Sequence, residues 1–173
     1  MKNTEVYLGS FKSDSGKLMV SDPCYERNVW CQGIIDNSAT GDWKAYVYHS
    51  DEGDWGIRCA ALLAIHSSVS SPSDTLIFQP CDFVVGVDSG QAGIFDELAY
   101  RNDDMIDADR QPINTYGESK FYNLCCDLTV TKLGAGVLSS GTVSCSGYGD
   151  GGYDCFVAKN QEGQIIAVKV IFL

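Results

Sequence analysis

The 173 residues carry 12 Lys and Arg against 23 Asp and Glu, a formal net charge of −11, with 45% hydrophobic and 20% charged side chains. That much apolar material excludes a disordered chain, and the acidic balance excludes a basic face tracking a phosphate backbone, so no direct nucleic-acid partner is expected. No stretch approaches the roughly 18 consecutive apolar residues of a membrane span, and the first residues run into strand-like sequence without the apolar core of a signal peptide, so a cytoplasmic, non-membrane single domain over 1–173 is expected.

Residues Thr4 to Phe11 and Lys17 to Asp22 alternate or cluster apolar side chains around the turn Lys12-Ser13-Asp14-Ser15-Gly16, which predicts two strands joined as a hairpin. Pro23 lacks an N–H and holds Asp22 extended, so the chain should leave the sheet there and present Asp22 at a strand end. Trp43 to His49 and Gly56 to Ile65 predict a second strand pair, although the Ala and Leu of the latter also suit a helix. The serine-rich stretch from Ser67 to Ser73 predicts a surface loop. A buried strand is expected over Asp82 to Asp88, a short helix over Ile94 to Arg101, and an irregular, mobile acidic loop over Asn102 to Glu118. The spacing of Phe121, Leu124, Cys125 and Leu128 predicts an amphipathic helix starting at Ser119. Gly136 to Ser146, Tyr153 to Lys159 and Gln164 to Phe172 read as a terminal meander. No internal repeat is expected. With 17 Asp against six Glu and 18 Gly, the composition suits a turn-rich, mainly β fold: an antiparallel β-sandwich or a partly closed barrel with one or two short helices.

The eight cysteines lack C-x-x-C spacing, and His49 and His66 have no cysteine at finger-like distance, so reduced thiols packed as small hydrophobes are expected. Gly147-Tyr148-Gly149-Asp150-Gly151-Gly152 contains G-x-G-x-x-G, but a strand follows where a dinucleotide site needs a helix N-terminus. A tight bend or an anion-cradling nest of amides remains. Gly86-Val87-Asp88-Ser89-Gly90 is locally similar to the nucleophile region of trypsin-like proteases, yet His66 lies too close in sequence for a second barrel to intervene. Asp107, Asp109 and Glu118 fall at EF-hand spacing, but Pro112 stands where the loop needs Gly, so a solvated loop is expected. Asp22, Asp88, Asp96 and Asp150 each adjoin a turn and together suit a hard cation such as Ca or Mg; taken singly, each is explained as a turn or helix cap. Trp30, Trp43 and Trp55 are expected to serve packing, while Tyr148 and Tyr153 flank the glycines as platforms for a planar ligand.

Three segments carry a resemblance. Ser15-Gly16-Lys17-Leu18-Met19-Val20-Ser21-Asp22-Pro23, then Gly86-Val87-Asp88-Ser89-Gly90 with Phe95-Asp96, then Ser146-Gly147-Tyr148-Gly149-Asp150-Gly151-Gly152-Tyr153 resemble, in order and spacing, domain-of-unknown-function family 4241. The resemblance implies a small, largely β domain of bacteria and sometimes phage, without an established activity, in which the three motif loops matter together. The segment Cys24 to Cys31 and the long acidic loop depart from the family pattern.

These readings lead to a non-catalytic binding protein for a small polar or phosphate-bearing ligand. Asp22, Asp88, Ser89, Tyr148, Gly149, Asp150, Gly151, Gly152 and Tyr153 are its candidate ligand residues, with Asp22, Asp88 and Asp150 as candidate metal ligands. Two alternatives are a metal-assisted hydrolase using those aspartates and an acidic interaction protein, such as an immunity or phage counter-defence factor, with a protein partner. All three require distant Asp and Gly turns to meet at one end of the sheet.

Overall fold

β-Branched and aromatic residues at period two form most of the chain into strands. A computed structural model describes residues 3–72 and 75–173. In chain order the elements are β1 (Thr4–Ser13), β2 (Leu18–Ser21), β3 (Gly33–Ile35), β4 (Gly41–Asp51), β5 (Ile57–His66), β6 (Phe78–Val87), β7 (Gln91–Asp96), α1 (Lys120–Thr129), β8 (Ala135–Leu138), β9 (Gly141–Cys145), β10 (Gly151–Lys159) and β11 (Ile165–Ile171). They build an antiparallel six-stranded sheet, β1-β4-β5-β11-β10-β6, and an antiparallel five-stranded sheet, β3-β2-β7-β9-β8. The sheets stack as an open sandwich, so the barrel alternative is not adopted. Phe11, Trp43, Val47, Leu62, Val85 and Val168 of the large sheet meet Leu18, Val20, Ala92 and Ile94 of the small one.

Alternate residues of the small sheet turn outward onto α1, giving a third layer. Met19, Phe95 and Val143 pack there with Tyr100, Ile106, Phe121, Leu124 and Cys125. Ser119 caps the helix, its Oγ accepting from the Tyr122 amide, and Asp103 accepts the Lys120 and Phe121 amides beside it. The acidic loop is therefore anchored: Asp103 caps α1, Asp107 accepts the Ser139 amide, and Ile106 is fully buried.

Several elements differ from the sequence expectation. Segments β1 and β2 form no hairpin; the chain crosses at residues 14–17 from the large sheet to the small one. Ile94 and Phe95 belong to a strand instead of a helix, because they pair with β2 on one side and β9 on the other, and the chain turns only after Asp96. The Ala- and Leu-rich β5 is a strand buried almost throughout, as a central strand covered on both faces should be. By contrast β6 is an edge strand with alternate exposure, not a buried one. The terminal meander divides, with β8 and β9 in the small sheet and β10 and β11 in the large one, and β3 had no sequence signal beyond two isoleucines. The loop expected over 67–73 ends at Ser73, which lies outside the described residues.

The sandwich is also internally duplicated. Asp14-Ser15-Gly16 and Asp88-Ser89-Gly90 are each followed, after five residues, by an aspartate, Asp22 or Asp96. Each D-S-G tripeptide carries the chain from an edge of the large sheet, β1 or β6, into the central pair of the small sheet, β2 or β7. Gly16 and Gly90 take the same left-handed conformation, φ 73° and 72°. The remaining strands follow suit: β3, β4 and β5 correspond to β9, β10 and β11, and β5 pairs with β11 about the pseudo-dyad. The repeat is too short to stand out from the sequence, and α1 with β8 interrupts the second half.

Candidate functional site

The two halves are joined by a reciprocal exchange of hydrogen bonds. Asp22, fully buried at the end of β2, accepts the Asp88 amide (2.9 Å) and the Ser89 amide (2.7 Å) on Oδ2, and the Cys24 amide (2.8 Å) and Ser89 hydroxyl (2.6 Å) on Oδ1. Asp96, at the end of β7, answers with the Asp14 amide (3.0 Å), Ser15 amide (2.9 Å) and Ser13 hydroxyl (2.8 Å) on Oδ2 and the Leu98 amide (3.0 Å) on Oδ1. Burial opposes charge on Asp96, but the Ser15 amide and the Ser13 hydroxyl outweigh it and hold the carboxyl below its ordinary pKa. Beside Asp22, burial first and the neighbouring carboxylate second push the Cys24 thiol up to about 12.

The third motif loop joins this corner. The Ser146 amide donates to the Gly90 carbonyl (3.0 Å), and Gly151 and Gly152 pair with Val87 and Gly86. Together these loops bound a cleft of about 440 Å³ lined by Tyr25, Trp30, Asp88, Asp150, Gly151 and Gly152, with Val84, Gly86 and Cys31 as its floor. The segment Cys24 to Cys31 closes one side. It lies directly on β6, where the Gly86 amide donates to the Cys31 carbonyl (3.0 Å) and a Cβ on Gly86 would stand 2.6 Å from that of Cys31. Its course is fixed by the Tyr100 hydroxyl, which donates to the Tyr25 carbonyl (2.7 Å), and by Arg101, which donates to the Pro23 carbonyl (2.7 Å).

Within the cleft Asp88 and Asp150 are exposed carboxylates, and Trp30 is 88% exposed. The Tyr25 hydroxyl donates to Asp88 Oδ2 at 2.6 Å, and this bond, with burial second, raises the phenol's pKa. Tyr25 and Trp30 were not foreseen as site residues. Trp30 was expected to pack, and only its place in a polar, proline-led segment hinted at exposure.

Other expected site residues have different tasks. Asp22 has its oxygens occupied by amides and a hydroxyl, and among the described residues no three His, Cys, Asp or Glu side chains come together as a metal-holding group, so the metal set Asp22, Asp88 and Asp150 is not assembled. Ser89 likewise points into Asp22. The amide nest fails at Gly149, whose N–H donates to the Ser146 carbonyl (2.8 Å). Tyr153 is no platform: its hydroxyl donates to the carbonyls of Ser146 (2.9 Å) and Gly149 (2.6 Å), and its ring meets Phe172 edge-on. Tyr148 turns away to Glu52 (2.7 Å) and Trp55. Among the described residues no helix is long and apolar enough to cross a membrane.

A family model described as a protein of unknown function (DUF4241) matches residues 73–170. No curated protein and no solved structure matches the chain.

Proposed function

The chain belongs to the DUF4241 family of proteins of unknown function, and from that premise we propose that it is a non-catalytic binding protein whose cleft takes a small polar ligand bearing an amine or several hydroxyls. The observation carrying this reading is the placement of the Asp88 and Asp150 carboxylates around one cleft with the exposed Trp30 ring. Two carboxylates favour a cationic or hydroxyl-rich group, and an open indole face favours either an ammonium or the apolar face of a sugar ring. A phosphate would meet two like charges there, and the Gly149 amide, which donates to Ser146, does not offset them. A hydrolytic reading loses its metal for the reason already given.

Isothermal titration calorimetry with a panel of quaternary and primary amines and of simple sugars tests this proposal. One class should bind saturably, and Asp88→Asn or Trp30→Ala should weaken it about tenfold, the effect of losing roughly 1.4 kcal/mol of charge or cation–π attraction. Absence of heat and of any mass shift in native mass spectrometry across the panel would refute it.

A further inference from the structure

Away from that cleft, on the other side of the glycine loop, lies a small cavity of about 180 Å³ whose wall brings together two thiols and three basic side chains. Cys59 comes from β5 in the large sheet and Cys145 from β9 in the small one. Both sulfurs converge on Gly134: a Cβ at that residue would lie 3.2 Å from the Cys59 sulfur and 3.4 Å from that of Cys145. Gly134 adopts φ 62°, and its carbonyl accepts the Cys145 amide at 2.7 Å and lies 3.6 Å from the Cys59 sulfur. The Cys59 thiol donates to the carbonyls of Leu133 (3.7 Å) and Gly134 (3.6 Å) and the Cys145 thiol to that of Thr129 (3.4 Å), with Cys59 buried and Cys145 half-buried.

The surroundings favour a thiolate in an otherwise acidic protein. Arg58, Lys132 and His49 line the cavity, and among the described residues neither Arg58 nor Lys132 takes part in an ion pair. Arg58 Nε is buried without a hydrogen-bond partner, while the guanidinium lies over the Tyr148 ring. The adjacent Cys59 thiol, and more weakly the Arg58 charge, hold the Cys145 thiol below its ordinary pKa against the opposing effect of burial, while the adjacent Cys145 and burial raise Cys59.

We propose that Cys59 and Cys145 form a hydroperoxide-oxidisable dithiol, with Cys145 the attacking and Cys59 the resolving residue. The Cys145 thiolate attacks one peroxide oxygen and the O–O bond breaks. Hydroxide leaves and takes up a proton, and Cys145 becomes a sulfenic acid. The Cys59 sulfur then attacks that of Cys145, losing its proton and expelling the hydroxyl as a second water. Two thiols and one hydrogen peroxide thus give one disulfide and two waters, a two-electron oxidation. The cavity's size limits it to hydrogen peroxide or a small hydroperoxide. The bond would tie the two sheets together through their cores. In a second thiol pair, Cys81 with Cys155, the Cys155 neighbour lowers the Cys81 thiol while burial and the Asp82 carboxylate oppose it; with an acid beside it in place of Arg58, this pair serves as an internal reference.

The test exposes the reduced chain to hydrogen peroxide, blocks remaining thiols by alkylation, and maps the peptides. A Cys59–Cys145 linkage should form before any Cys81–Cys155 linkage, with the intact mass falling by two hydrogens. Cys59→Ser should instead leave Cys145 as a sulfenic acid captured by dimedone. Arg58→Gln should slow oxidation about twofold at neutral pH, because the thiolate loses a neighbouring positive charge. Cys145 remaining alkylatable while other cysteines oxidise, or reaching the sulfinic acid without joining Cys59, would overturn the proposal. The Cys59→Ser chain separates these outcomes from a failure of the two thiols to reach bonding geometry.

Discussion

Asp22 and Asp96 hold equivalent places. Each ends a strand of the small sheet, caps the turn that follows it through the amide two residues on, and accepts two successive amides from the corner by which the other strand enters. Replacing Asp96 by Asn puts an NH2 group where one of these oxygens accepts, leaving part-buried donors without their acceptor; a cost of about 1–2 kcal/mol is expected in urea unfolding. The pH dependence follows from the lowered folded pKa of Asp96. Its contribution is complete above the unfolded carboxyl value of about 3.9 and disappears as pH falls through the lower, folded one, so wild-type stability should drop on acidification through that window and Asp96→Asn should drop less. A parallel acid response in the two proteins would contradict this assignment. Both aspartates were visible in the sequence as turn residues, but the partners that join the two halves lie more than 60 positions away, beyond what a local pattern reveals.

Elements show the same division between local and distant causes. The helix α1 was legible because spacing and an N-cap serine are local signals. The strand β7 was not, since Leu98, Ala99 and Arg101 favour helix on their own and only pairing with β2 and β9 decides the conformation of Ile94 and Phe95. Part of the candidate site could be named in advance: Asp88 and Asp150 stand out as turn residues among glycines, but that their turns meet at one cleft is fixed by strand pairing, and the Tyr25 and Trp30 wall depends on how the segment Cys24 to Cys31 lies against β6. That contact makes Gly86 decisive for the element's position. A Gly86→Ala side chain would enter the space of the Cys31 Cβ, so it should lift the wall of the cleft and cost about 1–3 kcal/mol. Urea unfolding gives the energy, and a changed Trp30 emission reports the displacement.

For the whole molecule, the duplication determines how stability is shared. The pairings β2–β7 and β5–β11 both cross between the halves, and the common core draws Trp43 and Leu62 from one half and Val85 and Val168 from the other. Neither half therefore buries an apolar face alone, and unfolding should be a single transition. Tryptophan fluorescence, dominated by change at buried Trp43, should coincide in urea with far-ultraviolet circular dichroism, which reports strands of both halves; separate midpoints would show independently melting halves.

The pseudo-dyad also places β1 and β6 at opposite rims of the large sheet, and each rim is sealed at the matching residue. The Lys12 amide donates to the Ser139 carbonyl (2.9 Å) and the Gly86 amide to the Cys31 carbonyl (3.0 Å). Pro80 adds a position in β6 with no N–H, and the register of β1 slips between Tyr7 and Gly9. A sheet finished in this way offers a foreign strand no unbroken row of donors on either flank, which guards an apolar, strand-rich chain against templating its own aggregation.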